Sequence, residues 1–528
     1  MKLKITVSLV VILFFHLANQ AAVKNEHVLA KMLHYTGWSD IQQLMAGSYE
    51  THRNTAISHL QTRCSEPLSA LQSMDDNGLA NAALMYKFLA EGGFRTAEQL
   101  SNMTLDDFRN TLITVIAENT SFTVPQLQAN DNARNLFLAH DWWLKRTGSD
   151  QKLKTEALNK VAGSPVLKFD AKDNRGVNLD GLSIIKADEA YTYLAVSHSL
   201  VSGSQFKLYL SGSNDLTRWT YLAELGDRSH QGDIAKWGSG YIVANEQDPV
   251  NGSNTIRVRY YASYQQLLSN THSHSIVLPR YFSNAAEGTP DIRTVIGTSP
   301  ESSHIEIGFH YYNQSIQDQI AFGILRDFKD WKAWKDEISN YNIKQMGFKG
   351  NFGDRSGFEH KGTYTLQEAQ INANDWSSWR LLLGNGAFYT VLSPVTPKGS
   401  VSFANPSITH LGSGKFVVTS FMPTEGNQPG ERGELIYTVD FGNPATSIPE
   451  TEYTDPTAGS VYTVSERNDL ILYNAASYHV RVWNLQGILI EDIPDAAHPQ
   501  RIYCSSPAII QLKKDNKTLT LKHLPTTN

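Results

Sequence analysis

One short segment returns along this chain, and it limits the fold more than any composition figure does. Asp180-Gly181-Leu182-Ser183-Ile184, Gln231-Gly232-Asp233-Ile234, Glu287-Gly288-Thr289-Pro290-Asp291-Ile292 and Asn405-Pro406-Ser407-Ile408 each open a β-prone stretch. Aligned on the isoleucine they stand 50, 58 and 116 residues apart, the last step being two periods of 58. A fifth copy is therefore expected near residue 350. Strand openings at a nearly constant period point to a radial repeat with one sheet per repeat. The expected fold over residues 164–441 is an all-β array of five sheets around an axis, closed by a strand near Val166 that joins the last sheet. In three of the five openings a carboxylate sits at or beside the start, where such a fold gathers side chains around its axis.

A second signal supports the sheets. Ser213-Asn214-Asp215-Leu216-Thr217-Arg218-Trp219 has echoes in Arg326-Asp327-Phe328-Lys329-Asp330-Trp331 and Asn374-Asp375-Trp376-Ser377-Ser378-Trp379. The Asp and Asn residues make turns by bonding their own backbone, and the Trp covers the gap between sheets. Short β-branched and aromatic runs such as Tyr191 to Val196, Ile256 to Tyr261 and Phe416 to Ser420 alternate with Gly, Ser, Asn and Asp. Helical patterns are nearly absent from this part of the chain.

The order Asp-x-x-Ile, Tyr-rich strands, then Ser-x-Asp-Leu-x-x-Trp resembles the five-bladed β-propeller glycosidases of glycoside hydrolase family 43 and its relatives, over residues 165–441. The resemblance implies a general base, a residue that tunes pKa, and a general acid on the first three blades. By position these are Asp180, Asp233 and Glu287. It implies an O-glycosidase of inverting type, in which two carboxyl groups stand roughly 6.5 to 9.5 Å apart to admit a water. The acid must have its pKa raised by burial or a neighbouring carboxylate. Two departures stand out. Gly181 follows Asp180 where the family has Pro, and one extra residue separates Glu287 from Pro290. That insertion is either a harmless bulge that leaves Glu287 as the acid, or it turns Glu287 off the axis and makes Asp291 the inward residue. The structural alternative is that these acids cap strands or hold an axial cation.

His198, His230, Asp291, His310 and Arg355 are the expected contacts for sugar hydroxyls, with Arg257, His360 and Gln367 as further candidates. Trp237, Tyr311, Tyr312 and Trp376 are rings that could stack on sugar faces, although most propeller aromatics are core. Gly226-Asp227-Arg228-Ser229 returns as Gly353-Asp354-Arg355-Ser356. The Asp-Arg pair is expected to be an internal ion pair that fixes a loop, the alternative being an arginine for an acidic sugar. No cofactor is expected to be required; calcium would be structural.

Residues 30–148 follow a different period. Gly37, Gln43, Leu44, Arg53, Asn54, Thr55, Ile57, Leu71 and Gln72 recur 56 residues later as Gly93, Gln99, Leu100, Arg109, Asn110, Thr111, Ile113, Leu127 and Gln128. This is a duplicated helical module, with a capping Thr104 and an apolar stripe of Phe108, Leu112, Val115 and Ile116. It resembles Arg-Asn-Thr helical repeats of exported bacterial proteins. Its Arg is expected to pair with an acid and its Asn or Thr to bond a turn, which makes the module a spacer or a protein-interaction element. Residues 145–163 are polar and are expected to be a linker.

The first residues, Met1-Lys2-Leu3-Lys4 and then an apolar run from Ile5 to Ala18, suit a signal peptide over residues 1–21. Secretion follows as an expectation. The net charge of −6 and the lack of a basic block argue against a nucleic-acid partner. No other run is long and apolar enough to span a membrane. Sequons at Asn102, Asn119, Asn251, Asn313 and Asn516 would carry glycans in a host that adds them. Cys64 and Cys504 could pair or stay as thiols. After a Pro-marked linker, residues 455–528 show short alternating strands and are expected to form a small β-sandwich. It resembles the sorting domains of exported Bacteroidetes-type proteins at Val482-Trp483-Asn484-Leu485-Gln486-Gly487; a generic accessory sandwich is the alternative. Two functions remain: a secreted glycoside hydrolase acting on polysaccharide or oligosaccharide, or a non-catalytic propeller that binds carbohydrate or protein.

Overall fold

The computed structural model describes residues 24–249, 252–313 and 317–442, and beyond them 462–466, 469–473, 478–484, 489–496, 500–503, 508–514 and 517–523. The expected signal peptide, the turn at 485–488 and Cys504 lie outside the described residues. Cys64 is buried, and its thiol bonds the Leu60 carbonyl at 3.2 Å. The chain divides into two units, residues 1–447 and 448–528.

The first unit opens with helices between Glu26 and Lys145. Asp40 and Thr96, Ser48 and Thr104, and Asp75 and Asp131 are 56 residues apart, and each accepts a backbone N–H of the helix it starts. Arg53 donates to the carbonyls of Gln72 and Met74 and to the Asp76 carboxylate. Arg109 repeats this on Gln128, Asn130 and Asn132. The arginine therefore clips one helix to the turn that starts another. Its side-chain partner is an acid in the first copy and a neutral amide in the second.

Where a linker was expected, Asp150–Leu158 is a helix. Its few apolar residues hid it from a periodicity argument. It is anchored largely by polar groups: Gln151 donates to the Leu383 carbonyl at 2.6 Å, and Tyr364 to Asp150 at 2.5 Å. Leu158 and Val161 complete its seat in a hydrophobic cluster with Leu381, Leu383 and Tyr437.

Five four-stranded antiparallel sheets follow, built from residues 180–227, 229–277, 287–335, 355–391 and 404–440. In the fifth, Leu167 and Lys168 supply the outer strand by pairing with Tyr437 and Ile436. The first strand of each sheet lies beside the first strand of the next, and that of the fifth lies beside that of the first. The core is divided accordingly. Separate apolar clusters fill the spaces between sheets 1 and 2, 2 and 3, 3 and 4, 4 and 5, and 5 and 1. The Trp turns have the expected bonds: Asp215 accepts from the N–H of Thr217 and Arg218, and Trp219 is buried.

Two differences from expectation stand here. Helices Tyr264–Leu268 and Glu337–Gln345 interrupt the strands; the latter is capped by Asp336 and buries Ile343 between sheets 3 and 4. The fourth sheet starts at Arg355, not near residue 350, and its inner strand carries Gly357 and Phe358 instead of the repeated isoleucine.

The helical part packs on the third sheet, where Phe322, Ile324 and Trp334 join its core. The second unit has a three-stranded sheet and a four-stranded sheet in the order 489–493, 479–484, 508–514, 517–523. Val480, Val482, Ile502, Ile510 and Leu512 are its buried core. Among the described residues no helix is long and apolar enough to cross a membrane.

Candidate functional site

All eight expected site residues lie on the first two strands of sheets 1 to 4. Their placement is set by one backbone device. Between Asp180 and Ser183, His230 and Asp233, Gly288 and Asp291, and Ala404 and Ser407, the inner strand carries one residue more than its partner. The first residue of each bulge is left-handed: Gly181 at φ 59°, Gln231 at 48°, Thr289 at 44° and Asn405 at 47°. Each non-Gly case costs roughly 1 to 2 kcal/mol.

The preceding sheet supplies an acceptor for each turned-out N–H. His198 Nδ1 accepts from Gln231 at 3.3 Å, Glu246 from Thr289 at 3.2 Å, Glu368 from Asn405 at 2.5 Å and Glu434 from Gly181 at 3.0 Å. Leaving such a buried N–H without an acceptor would cost roughly 1 to 3 kcal/mol, so the bond matters as much as the strain it accompanies. Sheet 4 has no bulge, and Arg355 pairs regularly with Gln367.

The bulge positions also bond one sheet to another. Gln231 Nε2 donates to Asn405 Oδ1 at 3.2 Å, so sheets 2 and 5 are bonded across sheet 1. Gly181 leaves the room: a Cβ there would lie 2.8 Å from His198 and 3.0 Å from Gln231. Next to this bond is a void of about 10 Å³, lined by Ser183, Asp233, Asp354, Ser356 and Ser407. That is the space of about one water.

Asp233 lines the void half-buried and already bonded: it accepts from the Ser183 hydroxyl at 2.5 Å and from the Ile292 N–H at 2.7 Å. Burial, then the charge of Asp291, pushes its pKa up to about 7. Asp291 is buried, accepts from Gly357 N–H at 3.2 Å and pairs with Arg293 at 3.1 Å. Burial raises its pKa against the pull of Arg293 and Arg355. Arg355 is buried beside them and donates to the Phe309 carbonyl at 2.9 Å. Its expected ion pair with Asp354 is not formed, because Asp354 instead takes the Arg355 backbone N–H at 2.7 Å.

Glu287 is turned into its own preceding loop. Its Oε1 accepts from the N–H groups of Tyr281 at 2.8 Å, Phe282 at 2.5 Å and Ser283 at 3.1 Å. Burial raises its pKa while those three donors lower it. Asp180 begins the first inner strand, half-buried, and its Oδ1 is enclosed without a hydrogen-bond partner. Burial, then Asp170, raises it to about 6.

His198 is kept neutral, with burial and then His230 lowering its pKa to about 3. His230 bonds Asp248 at 2.9 Å. His310 Nδ1 is tied to the Thr289 hydroxyl. The structure thus brings Asp233, Asp291 and Arg355 together, and gives Glu287 and Asp180 separate surroundings.

His230, Glu246 and Asp248 place three ligand-type atoms within 4.8 Å of one another. This set does not fit calcium, which takes six to eight oxygens. One donor here is an imidazole, and the carboxylates already accept from His230, Asn254 and Thr289.

Sequence reasoning missed Glu246, Glu368 and Glu434, and it gave Asp354 only the role of an ion-pair partner. Glu368 is raised to about 7 by burial, and Glu434 is raised well above the usual range by burial and then by Asp180. One signal was present. In register with Pro290 and Pro406, the position before the proline is held by Thr289 and Asn405, and by Gln231 and Gly181 in the other bulged sheets.

No family model matches the sequence, and no curated protein matches it. Solved structures do align with the fold. A GH43_1 enzyme from Xanthomonas citri aligns at a TM-score of 0.33 with 10% identity, over 54% of this chain and 93% of that one. An exo-1,5-α-L-arabinanase from a bovine ruminal metagenomic library aligns at 0.34 with 10% identity, over 51% and 94%. The native Bacillus subtilis arabinanase Arb43A aligns at 0.34 with 12% identity, over 52% and 97%.

Proposed function

We propose that residues 164–441 are a five-bladed β-propeller of glycosidase type that binds carbohydrate without hydrolysing it, in an exported protein. One observation carries this reading. The four bulge positions hold Gly181, Gln231, Thr289 and Asn405, none of them a carboxylate, and the Gln231–Asn405 bond joins sheets 2 and 5 across sheet 1. Hydrolysis needs an acid and a base on either side of a sugar. Here Asp233, Asp291 and Glu287 are engaged by backbone N–H, a hydroxyl or an arginine, and the void beside Asp233 is far too small for a sugar ring.

The hydrolase reading, with Asp180 as base, Asp233 as modulator and Glu287 as acid, keeps one observation in its favour. Asp180 has an enclosed, unpartnered oxygen and a pKa raised to about 6, the properties of a proton carrier.

One experiment separates the two. Neutral and acidic oligosaccharides are offered to the full chain, and binding and reducing-sugar release are measured on the same samples. Binding without release is expected. Release that disappears in Asp180→Asn or Glu287→Gln would replace the binding reading with the hydrolase one.

A further inference from the structure

A second space lies at the other end of the inner strands. It is a cavity of about 860 Å³ walled by the downstream halves of sheets 3 to 5 and by the helices Glu26–Thr36 and Glu91-terminated Asp76–Glu91. That volume falls among ligand pockets of roughly 300 to 1,000 Å³ and would take about three sugar rings. Arg293 and Glu306 line it as a pair, and His34 reaches Glu306 from the helical side at 3.0 Å. Helix and sheet are thus bonded to each other at the site, so the cavity is part of the fold and not a gap between loosely joined parts.

Its charges cancel. Lys31 pairs with Asp336 at 2.9 Å, Lys87 with Glu91 at 2.6 Å, and Arg293 with both Asp291 and Glu306. Lys361 and Glu359, both exposed at the rim, are one of each sign. A charged ligand would therefore have to break an existing pair, and leaving one partner of a buried pair alone is costly. What the cavity offers instead is uncharged: the hydroxyls of Thr294, Thr363 and Thr365 and the Asn385 amide. The walls are fixed. Gly386 sits at φ 66° directly under the Tyr35 ring, where a Cβ would come within 1.7 Å, and Lys87 lies 4.9 Å from the centroid of that ring.

We propose that this cavity is the binding site for an uncharged, polyhydroxylated ligand of about trisaccharide size, and that the helical module forms one wall of that site. The module is then not a spacer. The proposal rests on the carbohydrate-binding reading and adds the place and the class of ligand.

The test is isothermal titration of the full chain with xylotriose, maltotriose, galactotriose and trigalacturonic acid. At least one neutral trisaccharide should bind, and the acid more weakly. With the best neutral probe, Thr363→Trp on the exposed rim of sheet 4 should cost tenfold or more in affinity. Glu91→Ala on the helical side frees Lys87, so it should weaken the neutral probe several-fold and strengthen the acid. Should Thr363→Trp unfold, hydrogen exchange of the parent protein gives the same answer: xylotriose or the best probe should protect both 359–365 and 85–91. Binding that survives Thr363→Trp but is lost in His230→Ala would place the ligand at the upstream end and overturn this site while leaving the carbohydrate reading intact. Tighter binding of the acid overturns the ligand class. If no trisaccharide binds at all, both readings fall.

Discussion

The two ends of the inner strands use charge in opposite ways. At the upstream end, acids are absorbed into the backbone: Glu246, Glu287, Glu368 and Glu434 each accept main-chain N–H, and little space remains among them. At the downstream end acids are paired with cations and surround open space. A carboxylate in a bulge-capping position cannot be removed without orphaning a donor, whereas one on a cavity wall can. Clustered acids near an axis are therefore weak evidence of chemistry until their partners are known.

This contrast can be broken most directly at Glu368, which holds the N–H groups of both Asp354 and Asn405. Glu368→Ala should lose about 4 kcal/mol in urea unfolding, since each orphaned buried donor costs roughly 1 to 3 kcal/mol. Glu368→Gln keeps an acceptor and should lose about a quarter of that. A loss of under about 1 kcal/mol in the alanine variant would show that the upstream acids are dispensable.

The pH dependence comes next. Asp180, Asp233 and Glu368 have folded pKa values raised to about 6, 7 and 7. Raised acids keep their protons in the native state while the unfolded chain loses them near pH 4. Their stabilising contribution is therefore complete below about pH 4 and is lost as pH rises through 6 to 7. The melting temperature should fall by several degrees (about 5 °C) between pH 5 and 8. Asp233→Asn should flatten that slope. A melting temperature that rises over this interval would count against the protonated upstream cluster.

Glycines sharpen the comparison at smaller scale. A Cβ on Gly288 would stand 1.9 Å from Glu246 Oε2, whereas one on Gly357 would meet nothing nearer than Arg293 Cγ at 3.3 Å. Gly288→Ala should cost about 1 to 3 kcal/mol and Gly357→Ala less than about 1 kcal/mol, by the same unfolding measurement. Smallest of all, Lys361→Ala at the downstream rim should move stability by no more than about 0.5 kcal/mol.

Much of the scaffold was legible from residues alone. The isoleucine-aligned segments mark inner strands because a repeated bulge demands the same local sequence each time. The fourth sheet escaped because it lacks the bulge and therefore the motif. The helix Asp150–Leu158 escaped because polar bonds, and not an apolar stripe, dock it. The site was less legible. Asp180 and Glu287 look like paired acids in a linear string, but the loop at 281–283 takes Glu287 while Asp180 keeps an unpartnered oxygen, and only the folded hydrogen-bond partners reveal that. Glu246, Glu368 and Glu434 could not be told from ordinary strand acids, since their partners belong to the next sheet around the ring.

The pairing of Leu167 and Lys168 with Tyr437 and Ile436 has a consequence for biogenesis. The ring cannot close until a strand about 270 residues later has left the ribosome. Closing so long a loop is entropically slow to reward, since its cost is met before any inter-sheet contact across that seam forms. The nascent chain therefore spends most of its synthesis as an unclosed arc.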